Sequence, residues 1–360
     1  MNAYDVVIVG AGPAGSTLGY EMARRGISVL IIEKEKLPRN KTCAGGVTFR
    51  AHALLDFDIG AVTQRVAYGM KISYQLGDFC VKKYRDPLAH LVMRRDFDHL
   101  LVSKARDAGA AVIDGTRVEN VSVSSGRVGV VTKQGSYFAK IAVGADGANS
   151  VVAAKMDLMR DAQRELALEA EVSIDQDKLD ALGSFICVDF GRIPGGYGWV
   201  FPKKSHVSAG VTGPARLSGI FKPYLDRILQ QFGEYDIVDF SGHVMPMRRR
   251  GSSIQRENVL LVGDAAGLIH PLSGEGIFYA IKSAKLAAPV IVSALQSGKI
   301  DLRGYQKAVD AELMPGLELG RMLLKIYTGC PRLCYTMIKK SDRFWSLGCR
   351  ALLGSSPVYS

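Results

Sequence analysis

Three glycines, Gly10, Gly12 and Gly15, follow directly on the apolar run Val6-Val7-Ile8-Val9, and an acid, Glu33, closes a second apolar run, Val29-Leu30-Ile31-Ile32. Residues of these types at this spacing hold a phosphate with backbone alone. Gly10 permits a tight turn out of a strand, Gly12 lets the backbone approach a pyrophosphate, and Gly15 lets the following helix pack closely on the sheet. A helix over 13–25, opening at Pro13-Ala14, aims free N–H groups and a positive dipole end at that phosphate. An acid about twenty positions beyond the glycines accepts hydrogen bonds from an adenosine ribose, and Glu33 stands there. An acid rather than a base at this point argues against a 2′-phosphate, so the pattern predicts FAD or NAD rather than NADP.

Further candidate residues sit in loops of small residues. Lys41-Thr42-Cys43-Ala44-Gly45-Gly46 holds adjacent glycines, which mark a backbone that turns sharply or comes close to a ligand. Gly144-Ala145-Asp146-Gly147-Ala148-Asn149-Ser150 is either a second ligand-facing turn or a sharp strand-to-helix connection. Gly263-Asp264-Ala265-Ala266-Gly267 leads to His270 and then to Gly276-Ile277, where a helix over 276–295 begins. Such a helix start favours a developing negative charge. His270 is a candidate acid or a residue that packs its own loop. Tyr197, Trp199 and Phe201 alternate along one stretch and so share one face of a strand, as a wall for an apolar ligand or as ordinary core.

The elements that must position these residues alternate between two patterns. The runs at 6–9, 29–32 and 259–262 are short and wholly apolar, as buried parallel strands are, and 111–113 and 137–143 also read as strands. Strands are also expected at 117–123 and 127–132, and a helix from 93–97 to about 108 has Phe97, Leu100, Leu101, Ala105 and Ala108 on one face. Two strands at 66–74 and 79–84 turn at Gly77-Asp78, and extended segments dominate 165–245, broken by one helix over 220–232. This is an α/β chain: a Rossmann-type, glutathione-reductase-like dinucleotide domain from 1–65, 93–160 and 251–315, an inserted antiparallel-sheet domain from 66–92 and 161–250, and a helical C-terminal segment over 316–360.

Composition narrows the function classes. With 48% hydrophobic and 22% charged residues the chain is an ordinary globular one. No apolar run reaches the roughly 18 residues of a spanning helix, and the first strand starts too early for a signal peptide, so a cytoplasmic protein is expected. Cys43, Cys80, Cys187, Cys330, Cys334 and Cys349 match neither a disulfide framework nor the spacing of a zinc or iron–sulfur site, so no metal is predicted. The net charge of +11 favours an anionic partner, but no nucleic-acid module is present, which leaves a membrane surface or a diphosphate. Arg248-Arg249-Arg250 is either a solvated charge run or part of a phosphate-facing surface. The segment 316–360 mixes Trp, Phe and Leu with seven cations and two acids; it either lies in a membrane interface, on the cytoplasmic face, or caps the body with its basic stems over apolar surface.

Taken together, Gly10-Ala-Gly-Pro-Ala-Gly15, Gly144-Ala-Asp-Gly147 and Gly263-Asp-Ala-Ala266 resemble the motifs of the flavoprotein hydroxylase superfamily, typified by para-hydroxybenzoate hydroxylase. Within it, Lys41-Thr-Cys-Ala-Gly-Gly46 and Pro194-Gly-Gly-Tyr-Gly-Trp-Val-Phe-Pro202 resemble the geranylgeranyl reductase family, whose Pro-x-x-Tyr-x-Trp-x-Phe-Pro signature is met at all its fixed positions. The resemblance spans about 1–315. It implies one extended FAD, with Ala14 at the pyrophosphate, Glu33 at the ribose, Arg95 as a contacting arginine and Val118 packing the adenine through its backbone. It places Cys43, Ala44 and Gly46 beside the isoalloxazine, Asp264 near the ribityl or pyrophosphate, and the Gly276 and Ile277 N–H groups at the flavin pyrimidine. Cys43, the candidate catalytic residue, would gate, position or supply a proton. The activity implied is saturation of isolated double bonds in a prenyl chain on a lipid, a diphosphate, a chlorophyll precursor or a quinone, with the chain against Tyr197, Trp199 and Phe201. NAD(P)H, a ferredoxin or reduced quinone would supply electrons.

Two rivals share the fold. A flavin monooxygenase or halogenase is disfavoured because halogenases carry Trp-x-Trp-x-Ile-Pro where this chain has Tyr197 and Phe201. A membrane-associated electron-transfer flavoprotein would usually bring an iron–sulfur domain, which the cysteine pattern denies.

Overall fold

A computed structural model describes residues 3–353, with side chains to Arg350, so the ends of the expected first and last segments, 1–2 and 354–360, lie outside the described residues. Five parallel strands form the centre of the first sheet in the order Val259–Leu261, Gly135–Gly144, Ala3–Val9, Val29–Ile32, Ala111–Ile113. Residues 6–9 and the strands Val29–Ile32 and Val259–Leu261 are buried throughout and covered on both faces, which explains why they read as continuous Val, Ile and Leu. The helices Pro13–Ala23 and Ile277–Ser297 pack together on this sheet. Ile277–Ser297 is long and apolar enough to cross a membrane, yet Ala280, Ala284, Ala287, Ala288 and Ile291 are buried in the core, which marks it as a core helix. An antiparallel meander, Val118–Ser124 and Arg127–Thr132, extends the sheet through Gly135–Gly144.

A second, seven-stranded sheet has the order Tyr235–Met247, Gln163–Ile174, Val207–Pro214, Tyr197–Pro202, Phe185–Phe190, Gly69–Tyr74, Phe79–Lys83. It is antiparallel except between Phe185–Phe190 and Gly69–Tyr74. One face packs on the helix Phe221–Gln230 through Val200, Val207, Ala209 and Val211. The α/β architecture is therefore as expected, with local corrections. The continuous strand expected at 66–74 is two strands in two sheets. Thr63–Ala67 pairs with Ala89–Val92 in a small sheet that also holds Gly46–Thr48, and the chain crosses over at Tyr68, bonded to Ser184. The 13-residue strand Tyr235–Met247 was not expected as a separate element, because Ile237, Val238 and Phe240 in its exposed outer half do not alternate with polar residues.

The three arginines at 248–250 are not one solvated run. Arg248 is fully buried, bonded to the Ser252 carbonyl and 2.6 Å from Asp310. Arg249 and Arg250 are exposed, and Arg250 pairs with Glu318 at 3.2 Å. The chain ends in three helices, Met314–Gly329, Pro331–Lys340 and Asp342–Leu353. Polar pins fasten them to the second sheet: Tyr327 Oη donates to the Gly196 carbonyl, Tyr335 Oη to Asp78, Trp345 Nε1 to Lys83, and Lys82 Nζ to Asp342.

Candidate active site

A cavity of about 500 Å³ lies between the two sheets, within the usual size of a ligand site. Its first wall is the glycine loop. Gly10 has φ +103°, a conformation L side chains avoid, and a Cβ there would strike the Ala145 carbonyl; a Cβ on Gly15 would strike the Gly10 carbonyl. Both therefore serve close packing. Gly12 differs: it lines the cavity, and a Cβ would meet nothing nearer than Arg39 Nη2 at 3.7 Å. No side chain caps the Pro13–Ala23 helix, and none caps Ile277–Ser297, whose first residues Gly276 and Ile277 also line the cavity. Two helix N-termini thus face one space, which suits an anion. Asp146 does not reach that space with a free carboxylate; it caps the helix Val151–Lys155 through Ser150, Val151 and Val152.

The second wall is an ion-pair chain that the sequence did not reveal. Glu33 accepts from the Ala11 N–H at 2.8 Å and lies 3.3 Å from Arg39; Arg39 meets Asp98 at 3.0 Å; Asp98 takes two 2.8 Å bonds from Arg94. Arg94 lines the cavity and its guanidinium reaches Cys43. The expected contact, Arg95, is exposed on the opposite side of the helix Arg94–Asp107. The helix starts with Arg94 and Asp98 one turn apart on its buried face, so Arg95 is rotated about 100° away toward solvent. Val118 is buried at the head of its strand, away from this cavity but near Glu33, whose carbonyl accepts the Thr116 N–H.

The third wall is the open face of the seven-stranded sheet, where strand register sets a polar and an apolar half. One row runs His243, Ala167, Thr212, Tyr197, Phe190; the next runs Ser241, Glu169, Gly210, Trp199, Val188, Ile72. Tyr197, Trp199 and Phe201 all line the cavity. Tyr197 donates to the Ser273 carbonyl at 2.6 Å, Phe201 sits under Gly46, and Trp199 lies over Gly210, which has no side chain to displace it. The outer aromatics thus brace the loops that carry Gly276 and Cys43.

At the polar end, Asp264 lies 3.4 Å from His243 and 3.7 Å from Lys41. Burial alone would raise the Asp264 carboxyl, but Lys41 and His243 outweigh it and hold the group well below the usual carboxylate range. Burial, with Lys41, pushes His243 down, against the pull of Asp264. Cys43, Ala44 and Gly46 line the same end; the Cys43 N–H donates to Glu169 at 2.9 Å, and its sulfur accepts from Gly45 at 3.4 Å. His270 is buried outside the cavity wall, where its ring accepts the Ser273 N–H at 3.2 Å; burial takes it down to about 4, so it organises its loop as a neutral ring. Glu169, His243 and Arg94 are ionisable cavity residues that spacing missed; the Arg94-x-x-x-Asp98 pair around buried Phe97 was the available signal for one of them.

The fold and these walls define an FAD-binding flavoprotein, and comparison with known proteins agrees. The family model for the FAD binding domain matches residues 3–187. Digeranylgeranylglycerophospholipid reductase 1 of Methanopyrus kandleri is 30% identical over 88% of this chain and 89% of its own, and geranylgeranyl diphosphate reductase of Rhodobacter capsulatus is 32% identical over 82% and 77%. The chain belongs to the geranylgeranyl reductase family and is an FAD-dependent reductase. Among solved structures, a geranylgeranyl bacteriochlorophyll reductase-like protein of Thermoplasma acidophilum superimposes with a TM-score of 0.84 over 99% of this chain and 98% of its own, at 22% identity, a likeness of fold. FAD fits the site: open Gly12 and two uncapped helix starts offer a cradle for its phosphates and its pyrimidine edge.

Proposed function

We propose that the protein saturates isolated carbon–carbon double bonds of a prenyl chain of geranylgeranyl type, carried on a lipid or a diphosphate. The supporting observation is the apolar half of the cavity, walled by Met70, Ile72, Ile186, Val188 and Trp199 and closed by the inner faces of the C-terminal helices through Tyr335, Ile338 and Trp345. Bound FAD, once reduced by NAD(P)H, a ferredoxin or a quinol, supplies two electrons and one hydrogen as hydride. The protein's part is to hold the alkene in place, exclude water and keep Gly276 and Ile277 N–H groups at the negative end of the cofactor. Mass spectrometry of prenyl diphosphates, prenylated lipids and quinones after incubation with dithionite-reduced protein tests this. A gain of two hydrogens per double bond in one class is expected; no gain, with flavin reoxidised only by oxygen or quinone, sinks it.

The outer faces of the same helices support docking on an anionic bilayer. Met322, Ile326, Leu333, Met337 and Leu347 are 41–63% exposed, flanked by exposed Lys325, Arg332, Lys339, Lys340, Arg343 and Arg350. Apolar strips rimmed by cations match an acidic lipid surface, and Ile326 belongs to both the strip and the cavity wall, so a lipid tail would enter without crossing water. Co-sedimentation with vesicles containing phosphatidylglycerol is expected to weaken with salt and to fall about 30-fold in Leu333→Glu/Leu347→Glu, with the melting temperature unchanged, because each of the two exposed apolar side chains contributes roughly 1 kcal/mol. Equal binding to neutral vesicles would refute the charge match.

A further inference from the structure

Saturating an isolated double bond breaks one π bond and forms two C–H bonds. Hydride accounts for both electrons and one of those bonds, so the second carbon needs a proton from a group in the cavity. The polar groups that line it are nearly all committed. Glu275 is held by Arg50 and Thr48, Asp264 by Lys41 and His243, Arg94 by Asp98, and Tyr197 donates its proton to a carbonyl. Trp199 Nε1 has no hydrogen-bond partner among the described residues, but an indole N–H is no acid; among the lining carboxyl groups Glu169 is the exception. It lines the cavity, is 4% exposed, and accepts one bond, from the Cys43 N–H to Oε1; Oε2 has no hydrogen-bond partner among the described residues.

We propose that Glu169 is the acid that delivers this proton to the alkene. The proposal rests on the prenyl-reductase reading and names its proton source. Geometry places Glu169 in the row of Trp199, at the boundary between the polar and apolar halves of the sheet, with its carboxyl bonded to the loop of Cys43. Its surroundings let it keep a proton. Burial, and then Glu171 on its own strand, push the carboxyl up to about 7, against the Cys43 N–H, Lys203 just past the strand Tyr197–Pro202 and Lys41 from the loop. The carboxyl O–H breaks, the proton passes to the second carbon, and a carboxylate remains. The route for its return lies along the same strand. Glu171, two residues along on the same face, lies 3.0 Å from Nε2 of His206, which is partly exposed. His206 is thus where a solvent proton would be taken up to restore the Glu169 carboxyl from the outer edge.

The test uses FAD-loaded wild type, Glu169→Gln and Glu165→Gln. Glu165 is on the same strand and equally buried but does not line the cavity, so it controls for loss of a buried carboxyl. Each protein is reduced with dithionite without oxygen, mixed with geranylgeranyl diphosphate and followed for one turnover by flavin absorbance and product mass. Glu169→Gln is expected to bind FAD fully and saturate the probe about 10²- to 10⁴-fold more slowly, the range of general acid catalysis, and to lose the fall in rate above about pH 7 that wild type shows. Glu165→Gln is expected to match wild type. Separately, burial also pushes Glu165 up to about 7, so infrared difference spectra between pH 6 and 8, without substrate, are expected to show carboxyl bands from both residues in wild type, with one component lost in Glu169→Gln and kept in Glu165→Gln. An unchanged rate and pH profile in Glu169→Gln, or infrared difference spectra identical in wild type and Glu169→Gln, overturns the proposal. If wild type itself leaves the probe unsaturated, the functional reading fails rather than the choice of Glu169 within it, and the proton-delivery role falls with it.

Discussion

Gly12→Val is expected to fold normally and to emerge without flavin. Gly12 has φ −75° and ψ −177°, an extended conformation that valine adopts freely, so the backbone is not strained. Its Cβ would meet only Arg39, at 3.7 Å, and the branched methyls would project into the space left for a pyrophosphate at the start of the Pro13–Ala23 helix. A group forced into a fitted contact costs roughly 1–3 kcal/mol, which is about 10- to 100-fold in affinity. FAD titration by fluorescence quenching, beside urea unfolding of the two apoproteins, separates the two effects. Full flavin content in the variant would remove the phosphate from this loop altogether.

The second large effect is on stability. Arg94→Ala is expected to lose about 3–5 kcal/mol, because it removes the centre of a buried chain and strands Asp98 beside Arg39 alone. Arg94→Lys is expected to recover little of it, since one ammonium cannot reproduce the fork that gives Asp98 two 2.8 Å bonds. Arg95→Ala, one residue along but exposed, should stay within about 0.5 kcal/mol of wild type. Urea midpoints at constant m-value measure all three. Flavin content follows the same order, because the chain that ends at Arg94 begins at Glu33 and the Ala11 N–H, and so ties the glycine loop to the loop of Cys43.

The local chemistry of this protein is legible in its amino-acid order wherever a motif is continuous. Gly10, Gly12 and Gly15, the apolar strands and the start of the last core helix each depend on neighbours within a few positions, and the backbone demands of a phosphate-binding turn exclude most other residues there. The alternation of Tyr197, Trp199 and Phe201 likewise decides their common face, because a strand has a period of two.

What the chain order left open depends on register and helix phase across long distances. Arg94 and Arg95 are interchangeable in composition; only the burial of Phe97 and Asp98 shows which one turns inward. Glu169 becomes a cavity residue because Gln163–Ile174 pairs with Val207–Pro214 in a register that sets it beside Gly210 and, through that, Trp199. The C-terminal segment has two amphipathic readings by itself, membrane contact or cap. In the tertiary structure Tyr335, Ile338 and Trp345 point into the cavity while Leu333, Met337 and Leu347 point out, so one set of helices presents an apolar surface on each side. The physical reason is that local sequence determines backbone conformation and periodicity, whereas the partner of each face is determined by which distant element comes to bury it.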